Sequence, residues 1–340
     1  MRHFFRWCGR LLLLVMTLGL AAALFWADGQ NKQIDEWEIF AATKNAPGRI
    51  VAVNGRNMHV LIKGKLEADP TGAPIVLLHG FSAAGHATWL PWANQLAAAR
   101  RTVVLIDMLN FGHSERITEA HDDLTHQGQA ALINGLLDAL GIGQIDLVGW
   151  SMGGAIATQF TLDYSERVRA ITFVAGHVYG ANRVNPFELL GKLPLGIGRA
   201  LTWNSLGGSP NGLVARMCAT DKEVCHWLDL LLIENTVDGL RAISDTQQIS
   251  RLPDDVALID KPVLVIAGEV DEIVPRADSE WLAETLNAKL YIAEGAGHWP
   301  AEKDPATVAR HILNFFAGNA PEQPAKDAGI DRDHSITGKY

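Results

Sequence analysis

Three kinds of apolar pattern alternate along the chain. The first is a single long run, Leu11 to Ala27 ("LLLLVMTLGLAAALFWA"), without a charged residue. It is longer than most signal-peptide cores and close to the lower limit, ~17 residues, for crossing a bilayer. Phe25 and Trp26 stand where an interfacial aromatic belt would lie. The second kind is short and continuous: "PIVLLHG", "RTVVLID", "QIDLVGW", "VRAITFVAG", "PVLVIAG" and "KLYIAEG". Such runs read as strands buried on both faces. The third kind has helical spacing and predicts helices in "TWLPWANQLAAA", "LTHQGQAALINGLLDALGI", "SMGGAIATQFTLDY", "SEWLAETLN" and "PATVARHILNFFAG". "RIVAVN" and "NMHVLIKG" flank Asn54-Gly55, a hairpin signal.

Strand and helix alternate as in a mostly parallel central sheet flanked by helices on both faces. The rhythm stops after Gly176 and resumes at "KPVLVIAG". Residues 49–176 and 261–318 are therefore expected to form one α/β core, with residues 177–260 inserted as a helical cap. Residues 28–48 read as a polar connector. Residues 319–340, poor in apolar side chains, read as a disordered tail. Within the cap, Trp227, Leu228, Leu230, Leu231 and Leu232 are expected to pack on the core; a share in an apolar substrate pocket or a membrane contact is the alternative.

Composition narrows this picture. The formal net charge is −9, which argues against nucleic-acid binding. Arg2, Arg6 and Arg10 precede the long apolar run, so the arginine bias places the N-terminus in the cytoplasm and the bulk of the chain on the periplasmic or extracellular side. An uncleaved membrane anchor is favoured over a cleaved signal followed by secretion, because cleavage after Ala23 would leave "LFWA" on the mature end. Cys218 and Cys225 would be about 10.5 Å apart in one straight helix, too far for a disulfide. A break at Thr220-Asp221 could bring them together, so a disulfide and two buried thiols both remain open. No Cys/His spacing suggests zinc, and the glycines of "GWSMGG" lack the dinucleotide-binding spacing; neither metal nor cofactor is expected.

Candidate chemistry centres on "LVGWSMGGAIA" (Leu147–Ala157). Gly149, Ser151 and Gly153 have the spacing G-x-S-x-G at a strand-to-helix junction, the pattern that exposes a nucleophilic serine on a strained turn. A serine hydroxyl needs a base. An acid and then a histidine should follow in loops at the carboxyl ends of later strands. Asp271 in "EVDEIVP" and His298 in "AGHWP" meet that demand, with Glu269 and Glu272 as rivals of Asp271. Two backbone donors should bind an oxyanion: the N–H of Met152, after the serine, and the N–H of Phe81, in the loop "HGFSAAGHATW". His79 is expected to hold that loop by hydrogen bonds, and Asp107 to anchor the loop after its own strand. His86, His113 and His177 read as exposed loop residues, with a place at the pocket mouth as the alternative.

"LLHGF", "IDMLNFGHS", "LVGWSMGGAIA", "GEVDEIVP" and "GAGHWP" together make the chain resemble the α/β-hydrolase superfamily with a helical cap, across roughly residues 50–317. The sequence departs from that family's common "DLPGFGxS" by placing Leu109-Asn110 where Pro-Gly is usual. Relatives that open epoxides or displace halide carry aspartate at the position of Ser151, so those reactions are disfavoured. The resemblance implies a serine hydrolase with Ser151, His298 and Asp271 as triad. Cleavage of a small to medium apolar acyl ester, esterase- or lipase-like, is the first expectation. A carbon–carbon bond hydrolase or an amidase with the same triad is the alternative, and a non-catalytic binding protein the remaining one.

Overall fold

A computed structural model describes residues 2–37, 46–66, 73–81, 85–176, 178, 193, 196–204, 230, 235–246, 255–300 and 305–319. His177, Cys218, Cys225, Trp227, Leu228, Leu231, Leu232 and the tail beyond Asn319 lie outside the described residues, and so do the expectations attached to them.

The chain begins with α1 (Arg2–Trp37). The helix does not stop at the end of its apolar run; the first polar residues of the expected connector extend it to Trp37. The core follows, with strand and helix alternating from β3 onward. β1 (Arg49–Val53) and β2 (Arg56–Lys63) form the hairpin, turning at Asn54 and Gly55, both with positive φ. Next come β3 (Ile75–Leu78), α2 (Leu90–Ala98), β4 (Val103–Asp107), α3 (His126–Ala139), β5 (Ile145–Trp150), α4 (Met152–Asp163) and β6 (Val168–Val174). Two described helices, α5 (Ile197–Trp203) and α6 (Thr236–Thr246), separate β6 from β7 (Val263–Gly268). No strand occurs among the described residues between them. The chain then adds α7 (Arg276–Thr285), β8 (Lys289–Ala293) and α8 (Pro305–Gly318).

The eight strands form one sheet in the order β1-β2-β4-β3-β5-β6-β7-β8. β1, β2 and β4 pair antiparallel and every other pair is parallel. Period-two alternation splits each central strand between two cores. Ile75 and Leu77 join Trp92, Leu96, Ile312 and Phe316 on the α2/α8 face, whereas Val76 and Leu78 join Ile133, Leu137, Ile156 and Phe160 on the α3/α4 face. Each fully buried Leu, Ile or Phe contributes about 1.5–3 kcal/mol, which explains why the central strands carry no polar face. Helix signals are local: Thr125 Oγ1 accepts the Gly128 N–H to cap α3, and Gly141 supplies positive φ beyond its end.

This topology fixes where chemistry can occur. The chain leaves β3 toward β4 on one side and returns to β5 on the other, so the direction of winding reverses at β3/β5. A crevice opens beyond the carboxyl ends of strands at such a reversal. "HGF" follows β3 and Ser151 follows β5, so both stand at its rim.

Candidate active site

Ser151 links β5 to α4 with φ 51° and ψ −119°. That conformation strains any residue with a Cβ, at a cost of about 1–3 kcal/mol. Its surroundings hold it there. The Ser151 N–H donates to Val174 O at 3.1 Å, and Ser151 O accepts the Gly154 N–H at 2.8 Å. A Cβ on Gly153 would penetrate Leu78 O, so glycine there lets α4 start against β3. On the other side, a Cβ on Gly80 would lie 2.8 Å from the Trp150 ring and 3.1 Å from Ser151 Cβ. The "HGF" backbone is thereby pressed against the serine. Met152 is the first residue of α4, and the first N–H groups of a helix have no intrahelical acceptor. Gly80, the residue before the predicted donor Phe81, and Met152, the second predicted donor, thus adjoin Ser151 from the loops after β3 and β5.

The loops after β7 and β8 bring in the other two residues. His298 Nε2 lies 2.9 Å from Ser151 Oγ, and its Nδ1 lies 2.9 Å from Asp271 Oδ2. Asp271 Oδ1 accepts the N–H groups of Ile273 and Val274 at 2.8 and 2.9 Å. With Nδ1–H facing a carboxylate, the Nε2 lone pair faces the serine hydroxyl. Glu269 is not the partner: its carboxylate accepts the Gly295 N–H at 2.7 Å. One further support has no signal in the sequence. Trp150 Nε1 donates to His298 O at 2.9 Å, and its ring packs at 4.4 Å on Trp299, which stacks on Trp92. The residue before the serine therefore steadies the loop that carries the histidine.

Behind the crevice, His86 and His113 are buried, not exposed or at a pocket mouth. They gather with His59, which nothing in its own segment marks out, around the buried carboxylate of Asp107. Asp107 accepts His59 Nδ1–H at 2.7 Å, the His113 N–H at 2.8 Å, the His86 N–H and a contact from His86 Nδ1 at 3.0 Å. Burial disfavours charge on Asp107, but His86 and His59 outweigh it and hold the carboxyl well below its usual range. His59 Nε2 meets the carbonyl of Pro47, so both of its ring nitrogens face acceptors and both carry protons. Burial opposes that charge, yet Asp107 keeps the His59 pKa above its ordinary value. His59, His86 and Asp107 are also close enough to share a metal ion; the donors already converging on the carboxylate account for the cluster.

Asn110 supplies the turn left open where Pro-Gly is usual. It adopts φ 73° and donates through Nδ2 to Ile117 O at 2.7 Å and to Gly239 O of α6 at 2.8 Å. Asparagine tolerates this left-handed conformation better than most residues, and its side chain ties the loop to α6.

His79 holds the "HGF" loop as expected. Its Nδ1–H donates to Gly80 O at 2.7 Å and its Nε2 accepts the Met108 N–H at 3.1 Å. Complete burial pushes its pKa down to about 4, against the pull of Asp107. The folded pKa lies below the unfolded value of 6.5, so this contribution is fully present above pH 6.5 and is lost as pH falls toward 4 and below. The loss amounts to about 3 kcal/mol. Urea unfolding of the wild type and His79→Gln at several pH values should show the variant gaining that much relative stability between pH 7 and pH 4. A stability difference independent of pH would contradict the buried neutral ring.

Known proteins share this fold. Residues 73–204 match the family model described as alpha/beta hydrolase fold. A 2-hydroxy-6-oxononadienedioate/2-hydroxy-6-oxononatrienedioate hydrolase of Burkholderia vietnamiensis is 32% identical over 71% of this chain and 86% of its own length. A 2-hydroxymuconate semialdehyde hydrolase of Pseudomonas sp. strain CF600 is 30% identical over 80% of this chain and 97% of its own. Among solved structures, a variant of the meta-cleavage product hydrolase CumD superposes with TM-score 0.61 at 22% identity, covering 80% of this chain and 98% of that one.

Proposed function

The chain belongs to the α/β-hydrolase fold family and is a hydrolase, and from that premise we propose that it cleaves a carbon–carbon bond beside a ketone in a 2-hydroxy-6-oxo-dienoate. The observation that carries this reading is the naming of its relatives. They are matched over 86–97% of their own length, and the names of those similar proteins describe compounds with no ester or amide bond. Water can split such a compound only at carbon next to a carbonyl. This ranks the carbon–carbon alternative above the ester reading drawn from the sequence.

In this proposal Ser151 is the nucleophile, His298 the base and Asp271 the orienting acid. The 2-hydroxy-dienoate first ketonises: its 2-hydroxyl gives up a proton and the carbon next to the 6-oxo group takes one, which prepares that bond for cleavage. His298 Nε2 takes the Ser151 proton as Oγ attacks C6, and the N–H groups of Phe81 and Met152 bind the resulting oxyanion. Collapse breaks the C5–C6 bond. The electron pair passes into the conjugated 2-oxo acid as a dienolate, which takes a proton from His298. Water, deprotonated by His298, then releases the acyl group from Ser151. Residues 177–260 serve as the cap over this site. The Leu11–Ala27 segment holds the enzyme in a membrane, with the arginines of the N-terminus on the cytoplasmic side.

A substrate panel tests the choice of bond. The full chain in detergent should consume 2-hydroxymuconate semialdehyde, read as loss of its dienol absorbance, with higher kcat/KM than any 4-nitrophenyl ester of graded acyl length. Ester turnover without dienoate turnover would replace this reading with the esterase one.

A further inference from the structure

One face of α1 is built into the enzyme, and the rest of its surface is not. Leu11, Leu14, Leu18 and Phe25 are 55–82% exposed. Ala27 is buried, and Ala23, Leu24, Gln30 and Asn31 are half-buried. These five residues recur at three- and four-residue spacing, so they form one face. The polar members of that face bond α5. Asn31 Nδ2 donates to Gly196 O at 3.2 Å, Arg199 donates to Asn31 O at 3.3 Å, and Asn204 Nδ2 donates to Gln30 Oε1 at 2.8 Å. Ala23 and Ala27, below them on the same face, leave room for close packing.

The depth of this junction follows from helix geometry. Residues 10–32 form a helix long and apolar enough to cross a membrane, at about 34 Å for a 1.5 Å rise. Gln30 and Asn31 lie about 4.5–6 Å beyond Ala27 along the axis. The headgroup layer of one leaflet is roughly 5–7 Å thick. With Leu11–Ala27 in hydrocarbon, α5 is held at headgroup depth. α5 in turn is fixed to α6 through Arg199 Nε and Asp238 Oδ2 at 2.8 Å, and α6 to the loop after β4 through Asn110. That loop carries Phe111, whose ring lies 5.7 Å from Phe81 beside the nucleophile. Two helix contacts, α1 on α5 and α5 on α6, thus link the anchor to the wall of the site.

We propose that α1 and α5 dock the inserted helices on the membrane surface, so that the enzyme draws an amphiphilic substrate from the bilayer. Its carbonyl-bearing polar head reaches Ser151 while its apolar tail stays in lipid. This rests on the Ser151 reaction and the membrane-bound helix proposed above. For a 2-hydroxy-6-oxo-dienoate, the carboxylate end would be the head and an apolar group on C6 the tail. An anchor that only tethered the enzyme would need no bonds to α5 and no buried face.

The test uses the full chain in phosphatidylethanolamine/phosphatidylglycerol vesicles containing a phospholipid with a diazirine near the top of its acyl chain. After illumination, mass spectrometry should find lipid adducts on residues 11–27 and on α5, at Ile197 and Leu201, with α8 unlabelled. Gln30→Ala combined with Asn204→Ala should cut the α5 adducts several-fold. The same pair should raise KM at least several-fold for a long-tailed dienone or ester carried in the vesicles, while leaving turnover of a short soluble one unchanged. Adducts confined to α1, or equal on α5 and α8, would overturn the proposal, as would an unchanged KM in the double variant. Fluorophosphonate labelling in the same vesicles separates the two readings. Intact Ser151 labelling without α5 adducts defeats the docking alone, whereas absent labelling defeats the reaction.

Discussion

Ser151→Ala is expected to remove hydrolysis of every substrate by about a million-fold while leaving the fold unchanged, the scale on which loss of such a nucleophile registers. The backbone argument predicts more than inactivity. At φ 51° and ψ −119° both serine and alanine carry the same Cβ strain, so their unfolding midpoints in urea should agree. Glycine carries no such strain. Ser151→Gly should therefore be equally inactive yet more stable than wild type, by about 1 kcal/mol after the greater freedom of its unfolded chain is set against the relieved strain. An active Ala variant would remove Ser151 from the mechanism. A Gly variant less stable than the Ala variant would show that the turn is not strained.

The place of Ser151 was legible in the sequence because a buried parallel sheet writes itself as continuous apolar runs. "PIVLLHG" and "QIDLVGW" could be nothing shorter or more amphipathic, since β3 and β5 bury every side chain. The positions of Ser151, Asp271 and His298 followed from the loops after such strands. What stayed hidden depends on contacts between segments far apart in sequence. Nothing near His59 says that it faces Asp107 across β2 and β4, and nothing near His86 says that it is buried; the pairing of two strands decides the first, and the fold of the "HGF" loop onto the same carboxylate decides the second. Asn110 was visible as a departure from Pro-Gly, but its bond to Gly239 reaches α6, far along the chain. The junction of α1 with α5 was equally unreadable, since Gln30, Asn31 and Asn204 have no local reason to be more than solvated polar residues.

Asp271→Asn should cost about ten-thousand-fold in kcat with little change in stability, and the reason lies in how Asp271 is held. Its Oδ1 accepts two backbone N–H groups, from Ile273 and Val274, at 2.8 and 2.9 Å. An asparagine must put its carbonyl oxygen there, because an NH2 group would meet two donors. The NH2 is then forced to the place of Oδ2, 2.9 Å from His298 Nδ1. It donates to Nδ1, so the ring proton moves to Nε2 and points at Ser151 Oγ. The base has lost the lone pair that accepts the serine proton, though every heavy atom stays in place. A tautomer error of this kind costs on the order of 10⁴ in the serine protease case. Substrate binding does not use that proton, so KM should hardly move. Fluorophosphonate labelling of Ser151 should slow in parallel with kcat, because it needs the same deprotonation. Rising pH should restore part of the rate, since hydroxide can then take the serine proton directly. Equal kcat in the variant and wild type would mean that Asp271 only packs the loop, and the acid would have to be sought elsewhere.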